Sequence, residues 1–462
     1  VASAPRARIA VVGGGWAGCA AAVTLAAAGL PVTLFEQART LGGRARRIVV
    51  DGIALDNGQH VLLGAYRQTL SLVSAVHPSA DAGQLFHRLP LTLRPFGERQ
   101  RDEVELTAWK ARAPLHLLGG VLCSKGLSWR ERFALLTGFR HLAKGRLRPG
   151  ADEPVASRFA ATPPHAFAKV WQPLCLAALN TPPERASAHT FAHVLRSAFE
   201  GAANDSDLLV PAVDLSASFP DAAARFLAAH DGVVRCGATV RGIATAGDRV
   251  SLGIGTGDES FTAAIVAVGP HQLAPTLGDV AALPPGIEQP LEDVARFTYE
   301  SITTIYLGLT HPVPFAVPML RLDDAPGQWV FDRGNALSSD APPGTAGLVA
   351  VVISASGQHD ALDQRTLALN VEAQLRRRMP GFPSITFSRV IAERRATYAC
   401  TPGLVRPKDG RVGGGIYLAG DYCDPELPAT LEAATRSGVS AANEVIADFA
   451  GGAAARGSTP AL

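Results

Sequence analysis

The chain has no C-x-x-C pair. Its six cysteines (Cys19, Cys123, Cys175, Cys236, Cys400 and Cys423) are scattered along 462 residues. A zinc ribbon needs paired cysteines and is excluded, the scatter runs against a disulfide scaffold, and a reducing compartment is expected. No metal is expected either. Net charge is also nearly absent: 43 Lys+Arg stand against 41 Asp+Glu, a formal +2, so no overall field recruits nucleic acid. Charged residues make up 18% and hydrophobic residues 47%, which is not the composition of a disordered chain. The length suggests about three domains at ~150 residues each, and enough chain to bury a core without staples.

Nor is there a membrane-spanning run. Residues 9–35 carry no charge, but Gly13, Gly14, Gly15, Gly18, Gly29 and Pro31 break the stretch. Arg6 and Arg8 ahead of it only mimic a signal peptide. A second uncharged run, Ser301 to Leu320, is cut by Pro312, Pro314 and Pro318, which a spanning helix does not tolerate.

What the first run does contain is a nucleotide-site pattern. Residues 8–13 read as a short buried strand, followed by the turn Gly13-x-Gly15-x-x-Gly18 with Gly14, Trp16 and Ala17 inside it. Ala22, Leu25, Ala26 and Gly29 then fall on one helical face. A second strand, Val32 to Phe35, ends in Glu36-Gln37. Gly13 makes the tight turn, Gly15 admits a pyrophosphate and Gly18 lets helix and strand close up. The helix start offers free N–H groups to the anion, and Glu36 can accept from an adenosine ribose. An acid here suits a free 2′-hydroxyl, hence FAD or NAD rather than NADP. An isolated glycine turn would mean little, but here every part comes in the required order.

Gly42-Gly43-Arg44 adds a second glycine turn with a guanidinium able to fork onto phosphate. Asp56-Asn57-Gly58-Gln59-His60 comes next, beside the apolar Val61 to Leu63. Near the other end, residues 416–419 read as a strand ending in Gly420-Asp421, and Pro428-Ala429-Thr430 reads as the opening of a helix. Asp421 could hold a ribityl hydroxyl, and the positive helix end could stabilise the charge on a reduced flavin.

These residues resemble the FAD-dependent amine oxidase and phytoene desaturase superfamily: Val11 through Glu36, Gly42-Gly43-Arg44, and Ala419-Gly420-Asp421. Asp56 to Leu62, Leu427 to Ala433 and Arg395-Ala396-Thr397-Tyr398 are similar to its hydroxysqualene dehydroxylase branch. The resemblance implies an α/β fold, a Rossmann-like FAD-binding domain of the GR2 type interleaved with an α+β substrate-binding domain. The FAD-binding domain would take residues 1–69, 205–270 and 398–450, the substrate domain 70–204 and 271–397, and 451–462 would be a tail. Within 205–270 we expect a helix at 221–229 and strands near 233, 250–252 and 264–268, with Val240 reaching the adenine side. Strands are expected at 302–309, 328–331 and 348–354.

The resemblance further implies that a hydroxylated C30 isoprenoid, hydroxysqualene, loses its hydroxyl and gains a hydride, giving squalene for hopanoid or related lipids. That reaction needs reduced flavin, an acid and a dry apolar tunnel. His60 is a candidate acid, since an imidazole titrates near neutrality. Tyr66 and Tyr398 are further candidates, and packing is the plain alternative for all three. No second strand–glycine–helix unit is visible, so an external reductant or reductase is expected.

One stretch departs from the even charge balance. Residues 110–148 hold nine Lys or Arg and one acid, Glu131, interleaved with apolar residues. A basic amphipathic stretch can lie on an anionic membrane, or be a solvated face over core. A cytoplasmic protein is expected, peripheral on the inner face of the cell membrane if the first reading holds. Two rival functions stay open: a carotenoid-type desaturase, and a non-enzymatic prenyl-lipid carrier. An amine oxidase fits less well, since no lysine occurs between Lys169 and Lys408.

Overall fold

A computed structural model describes residues 8–78, 82–143, 152–199, 201–202, 204–279, 282–334, 346–408 and 410–457. The sequence pattern 8–36 folds as strand Ile9–Val12, helix Trp16–Ala27 and strand Val32–Glu36. The helix is buried on nearly every side, because two other helices, Pro220–Ala229 and Leu431–Gly457, pack on it. Its run of alanines permits that closeness. Gly438 does the same from the terminal helix, where a Cβ would run into the Ala17 carbonyl oxygen.

The main sheet has six strands, in the order 233–236, 32–36, 9–12, 263–266, 416–418, 410–413. Its first five strands are parallel, and 410–413 closes the edge antiparallel. The chain winds outward from 9–12 in one direction and later returns on its other side through 263–266. Ligands bind at such a switch point, beyond the carboxyl ends of the strands.

A second, wholly antiparallel sheet runs 319–321, 329–332, 347–354, 299–309, 385–398. Period-two alternation sorts its residues. Val330, Val349, Val351 and Ile353 pack with Leu367, Val371 and Leu375 of the helix Gln364–Arg378, while Trp329, Phe331 and Val352 point to the opposite face. A buried cluster locks the two halves together. Asp56 accepts from the Leu215 amide at 2.8 Å and from Arg333 at 3.0 Å, while Arg333 also donates to the Pro211 carbonyl.

Most element ends lie within three residues of the sequence reading, but both ends of the last helix differ from it. The terminal helix begins at Leu431, not Pro428: the Thr430 hydroxyl accepts from the Ala433 amide at 3.1 Å, as a threonine N-cap does. It also runs on to Gly457, past the expected start of a tail at 451. Lys144, Arg146 and Arg148 of the basic stretch lie outside the described residues.

Candidate functional site

Gly13 occupies φ +107° at the end of the first strand, a conformation glycine adopts freely. A Cβ on Gly18 would collide with the Gly13 carbonyl oxygen, so helix and turn touch only because that side chain is absent. Glu36 is buried at the tip of its strand, with one carboxylate oxygen accepting from the Gly14 amide and the other from the Ala38 amide, both at 2.7 Å. Each oxygen keeps a second lone pair, and Glu36 lines the cavity beyond the strand ends.

The second glycine turn folds directly onto the first. The Gly42 amide donates to the Gly14 carbonyl at 2.8 Å, and a Cβ on Gly43 would come within 3.1 Å of the Gly15 Cα. Arg44 then spans the site. It donates to the Ala396 carbonyl at 2.7 Å and pairs with Asp421 at 2.6 Å. The carboxy-terminal segment thereby joins the amino-terminal one, with Ala429, Thr430 and Leu431 at the rim.

One cavity of about 810 Å³ runs through this site. It is lined by Gly13, Gly15, Trp16, Ala17, Glu36, Gln37, Gly42, Gly43, Arg44, Gly58, Gln59, His60, Val240, Gly420, Asp421, Ala429 and Thr430, all expected from the sequence. Gly14, Gly18 and Pro428 stand behind the wall, where the first two shape the turn and Pro428 precedes the helix cap. The same cavity continues past the polar cradle into an apolar chamber. Leu174 and Leu195 line it, together with Trp329, Phe331 and Val352 from the antiparallel sheet.

The three acid candidates part company here. His60 lines the cavity, and burial pushes its pKa down to about 4, helped by Arg44 and opposed by the Gly58 carbonyl. It is therefore neutral at pH 7. Tyr66 also lines the cavity, hydrogen-bonded to the Thr430 side chain, and burial followed by the Glu432 charge raises its pKa. Tyr398 does not face the cavity. Its hydroxyl donates toward the Asp421 carbonyl at 3.3 Å and accepts from Arg406 at 2.9 Å, so it braces the Gly-Asp segment. An aromatic ahead of a strand carries no sign in sequence of which way it turns.

Other lining residues were not legible in the sequence. Thr239 flanks Val240, and Gly269, His271, Gln272 and Thr276 lie just beyond the strand 263–266. The Gly269-Pro270 break marks that strand end, and the switch-point rule could have drawn attention to the residues after it. Glu393 reaches the cavity from the long strand 385–398, where only strand pairing reveals it.

Comparison with known proteins decides the family. A model of the flavin containing amine oxidoreductases matches residues 16–446. The chain belongs to this family. It is 29% identical over 453 residues to hydroxysqualene dehydroxylase from Rhodopseudomonas palustris, covering 95% of this chain and 98% of that one. A local match of 107 residues, 23% of this chain and 18% of the other, is 50% identical to hydroxyneurosporene desaturase from Rubrivivax gelatinosus. Among solved structures, an oxidoreductase from Methanosarcina mazei superposes with a TM-score of 0.70 at 15% identity, over 95% of this chain and all of that one.

The protein is thus an oxidoreductase with FAD as its cofactor, and the site's own chemistry fits FAD. The glycine cradle leaves room for a pyrophosphate that side chains would fill. The Gln59 Oε1 atom is buried without a partner in the wall of the same cavity, an acceptor waiting for a donor. Among the described residues no cluster of His, Cys, Asp or Glu could hold a metal ion, and no helix is long and apolar enough to cross a membrane.

Proposed function

We propose that this flavoprotein removes the hydroxyl of hydroxysqualene reductively, giving squalene and water. The observation that carries this reading is the continuity of the cavity. A polar dinucleotide cradle opens without a wall into a chamber lined by leucine, valine and aromatic side chains, which suits a long isoprenoid and excludes water. Similarity to the Rhodopseudomonas palustris enzyme along 95% of the chain supports the same substrate class.

FAD, once reduced, supplies the hydride. The protein must hold the substrate and assist the departing hydroxyl. His60 and Tyr66 both face the cavity, one with a depressed and one with an elevated pKa, so both are uncharged near pH 7. In this proposal the Tyr66 O–H donates to the hydroxyl and gives the proton with which it leaves as water, while His60, whose Nδ1–H is held by the Gly58 carbonyl at 3.3 Å, presents Nε2 as the acceptor that orients the hydroxyl. Glu36 and Asp421 hold the two ends of the cofactor, and Arg44 keeps those ends together. Electrons come from an external reductant, and the product belongs to squalene and hopanoid synthesis. The basic stretch at 110–148 gives the chain a peripheral place on a membrane, where such a substrate resides.

A desaturase working on a carotenoid-like chain is the second reading, favoured by the local match to hydroxyneurosporene desaturase. Product analysis separates the two. Hydroxysqualene with dithionite-reduced enzyme should give squalene. No squalene there, together with new double bonds when phytoene or squalene is supplied with an electron acceptor, would reverse the assignment.

A further inference from the structure

The chain leaves ten large hydrophobic side chains exposed among its described residues, and five of them fall between 109 and 133: Trp109, Leu115, Leu118, Trp129 and Phe133. They gather on a pair of helices, Leu115–Leu122 and Trp129–Ala143, joined by a short turn. Each helix turns an apolar edge outward. On the second, the exposed positions Trp129, Phe133, Thr137 and Arg140 are spaced by four, four and three residues, the spacing of one helical stripe. On the first, Leu115 and Leu118 are exposed while His116, Leu117 and Val121 face inward. The Trp109 indole lies over Gly119, where any Cβ would collide with its ring.

The pair is built rigidly. Arg132 donates to the Leu122 and Ser124 carbonyls at 2.8 and 2.6 Å, fastening the start of the second helix to the end of the first. Its guanidinium also stacks over the Trp129 ring at 4.8 Å, and Trp129 lies 6.4 Å from Phe133. Such a patch is larger than scattered surface leucines explain. Its flanks carry charge of one sign. Lys110, Arg112, Arg130 and Arg140 are all exposed, and none of them forms an ion pair among the described residues.

We infer that this helical pair is a docking face for an anionic lipid bilayer. The tryptophans, Phe133 and the two leucines would enter the headgroup boundary, and the four cations would lie against anionic headgroups. Aromatic and leucine side chains on one face with lysine and arginine beside them are the chemistry of interfacial helices. The charge selects lipid over a second copy of this chain, which would bring like charge against like.

The position of the face gives docking a consequence. Behind it, Phe199 packs against His116 at 6.1 Å and Phe139 at 5.7 Å, and Phe199 is itself part of the chamber wall. The helical pair that carries the lipid face thus packs through His116 and Phe139 on a residue of the chamber wall. This deepens the reading above, since it says where a lipid-borne substrate is collected, but binding to vesicles is measured without turnover and stands or falls apart from the reaction.

The test is flotation of the FAD-loaded protein with vesicles of phosphatidylcholine and phosphatidylglycerol at 7:3, against phosphatidylcholine alone. The expected result is retention on the anionic vesicles only, weakened several-fold at 0.5 M NaCl. Trp129→Ser with Phe133→Ser should lower the bound fraction at least tenfold with bound FAD unchanged. Arg130→Glu with Arg140→Glu should do the same without altering any apolar contact. The inference is overturned if wild type ignores anionic vesicles or if both variants bind as wild type does. It is equally overturned if sedimentation shows a wild-type dimer that the serine variant splits.

Discussion

Arg44 and Asp421 stand 377 positions apart in the chain and 2.6 Å apart in space. Through this pair the first and last segments of the cofactor cradle become one object. Asp421 is 6% exposed, so its charge depends on the guanidinium for compensation. The Arg44 side chain also donates to the Ala396 carbonyl, and the pair therefore also ties the end of the long strand 385–398 of the antiparallel sheet to the cradle.

Removing the carboxylate should open this junction. Asp421→Ala leaves Arg44 without its charged partner, and losing one member of a buried hydrogen-bonded pair costs about 2–5 kcal/mol. FAD affinity should fall by at least ~10-fold, read from fluorescence as the cofactor is titrated into apoprotein. Asp421→Asn keeps the shape and should fall between the two. Wild-type affinity in Asp421→Ala would mean that the pair holds the chain and not the cofactor.

Close helix packing gives a prediction about stability alone. Gly438→Ala puts a Cβ against the Ala17 carbonyl, forcing the first and last helices apart. Overpacking of this kind costs about 1–3 kcal/mol. Gly257→Ala is the matched control, since a Cβ there meets nothing and the backbone φ is ordinary. Urea melts should show a lowered midpoint for the first variant and none for the second.

The parts of the site that could be read in the sequence are those whose chemistry is local. Gly13 to Glu36 is one continuous strand–turn–helix–strand unit, and each residue's task is set by its neighbours in the chain. Gly420-Asp421 was legible for the same reason. The last helix starts later than its sequence suggests because Pro428 is as good an opening signal as Thr430, and only the Thr430 cap distinguishes them. Trp329, Phe331 and Glu393 were out of reach. Their strands alternate faces, and which face meets the cavity is set by sheet pairing across tens of residues. Tyr398 failed for a related reason: its hydroxyl is spoken for by Asp421 and Arg406, partners that sequence proximity does not reveal.

Two buried groups pull the pH dependence of stability in opposite directions. His60 has its pKa lowered to about 4 from 6.5, so the unfolded chain binds more protons between those values and stability rises with pH across that window. Asp56 has its pKa raised to about 6 from 3.8, chiefly by burial, so its contribution is present at low pH and lost as pH rises through about 6. The two oppose each other between about pH 4 and 6. His60→Gln removes the rising contribution. Thermal melts should therefore show wild type gaining on the variant steadily from pH 4 to 6.5, and parallel curves would show that His60 is not held neutral by the fold.

Tyr66 and Tyr398 were equal candidates in sequence and are unequal in space. Tyr66 faces the cavity beside Thr430, whereas Tyr398 is 1% exposed and bonded into the Gly-Asp segment. Tyr66→Phe removes an O–H donor from the reaction chamber while leaving the ring that fills the wall. A positioned donor of this kind contributes about 10²-fold or more, so kcat should drop by that order with FAD content unchanged. Tyr398→Phe should leave kcat near wild type and instead cost about 1–2 kcal/mol of stability, for the bond donated to Asp421 and the one accepted from Arg406. Arg406 keeps its own bonds to the Leu427 and Pro425 carbonyls, which limits the damage. If the effects are exchanged, with Tyr398→Phe slow and Tyr66→Phe merely unstable, the proton and hydrogen-bond donors must lie on the Gly-Asp side of the cavity, and the proposed roles of His60 and Tyr66 fall together.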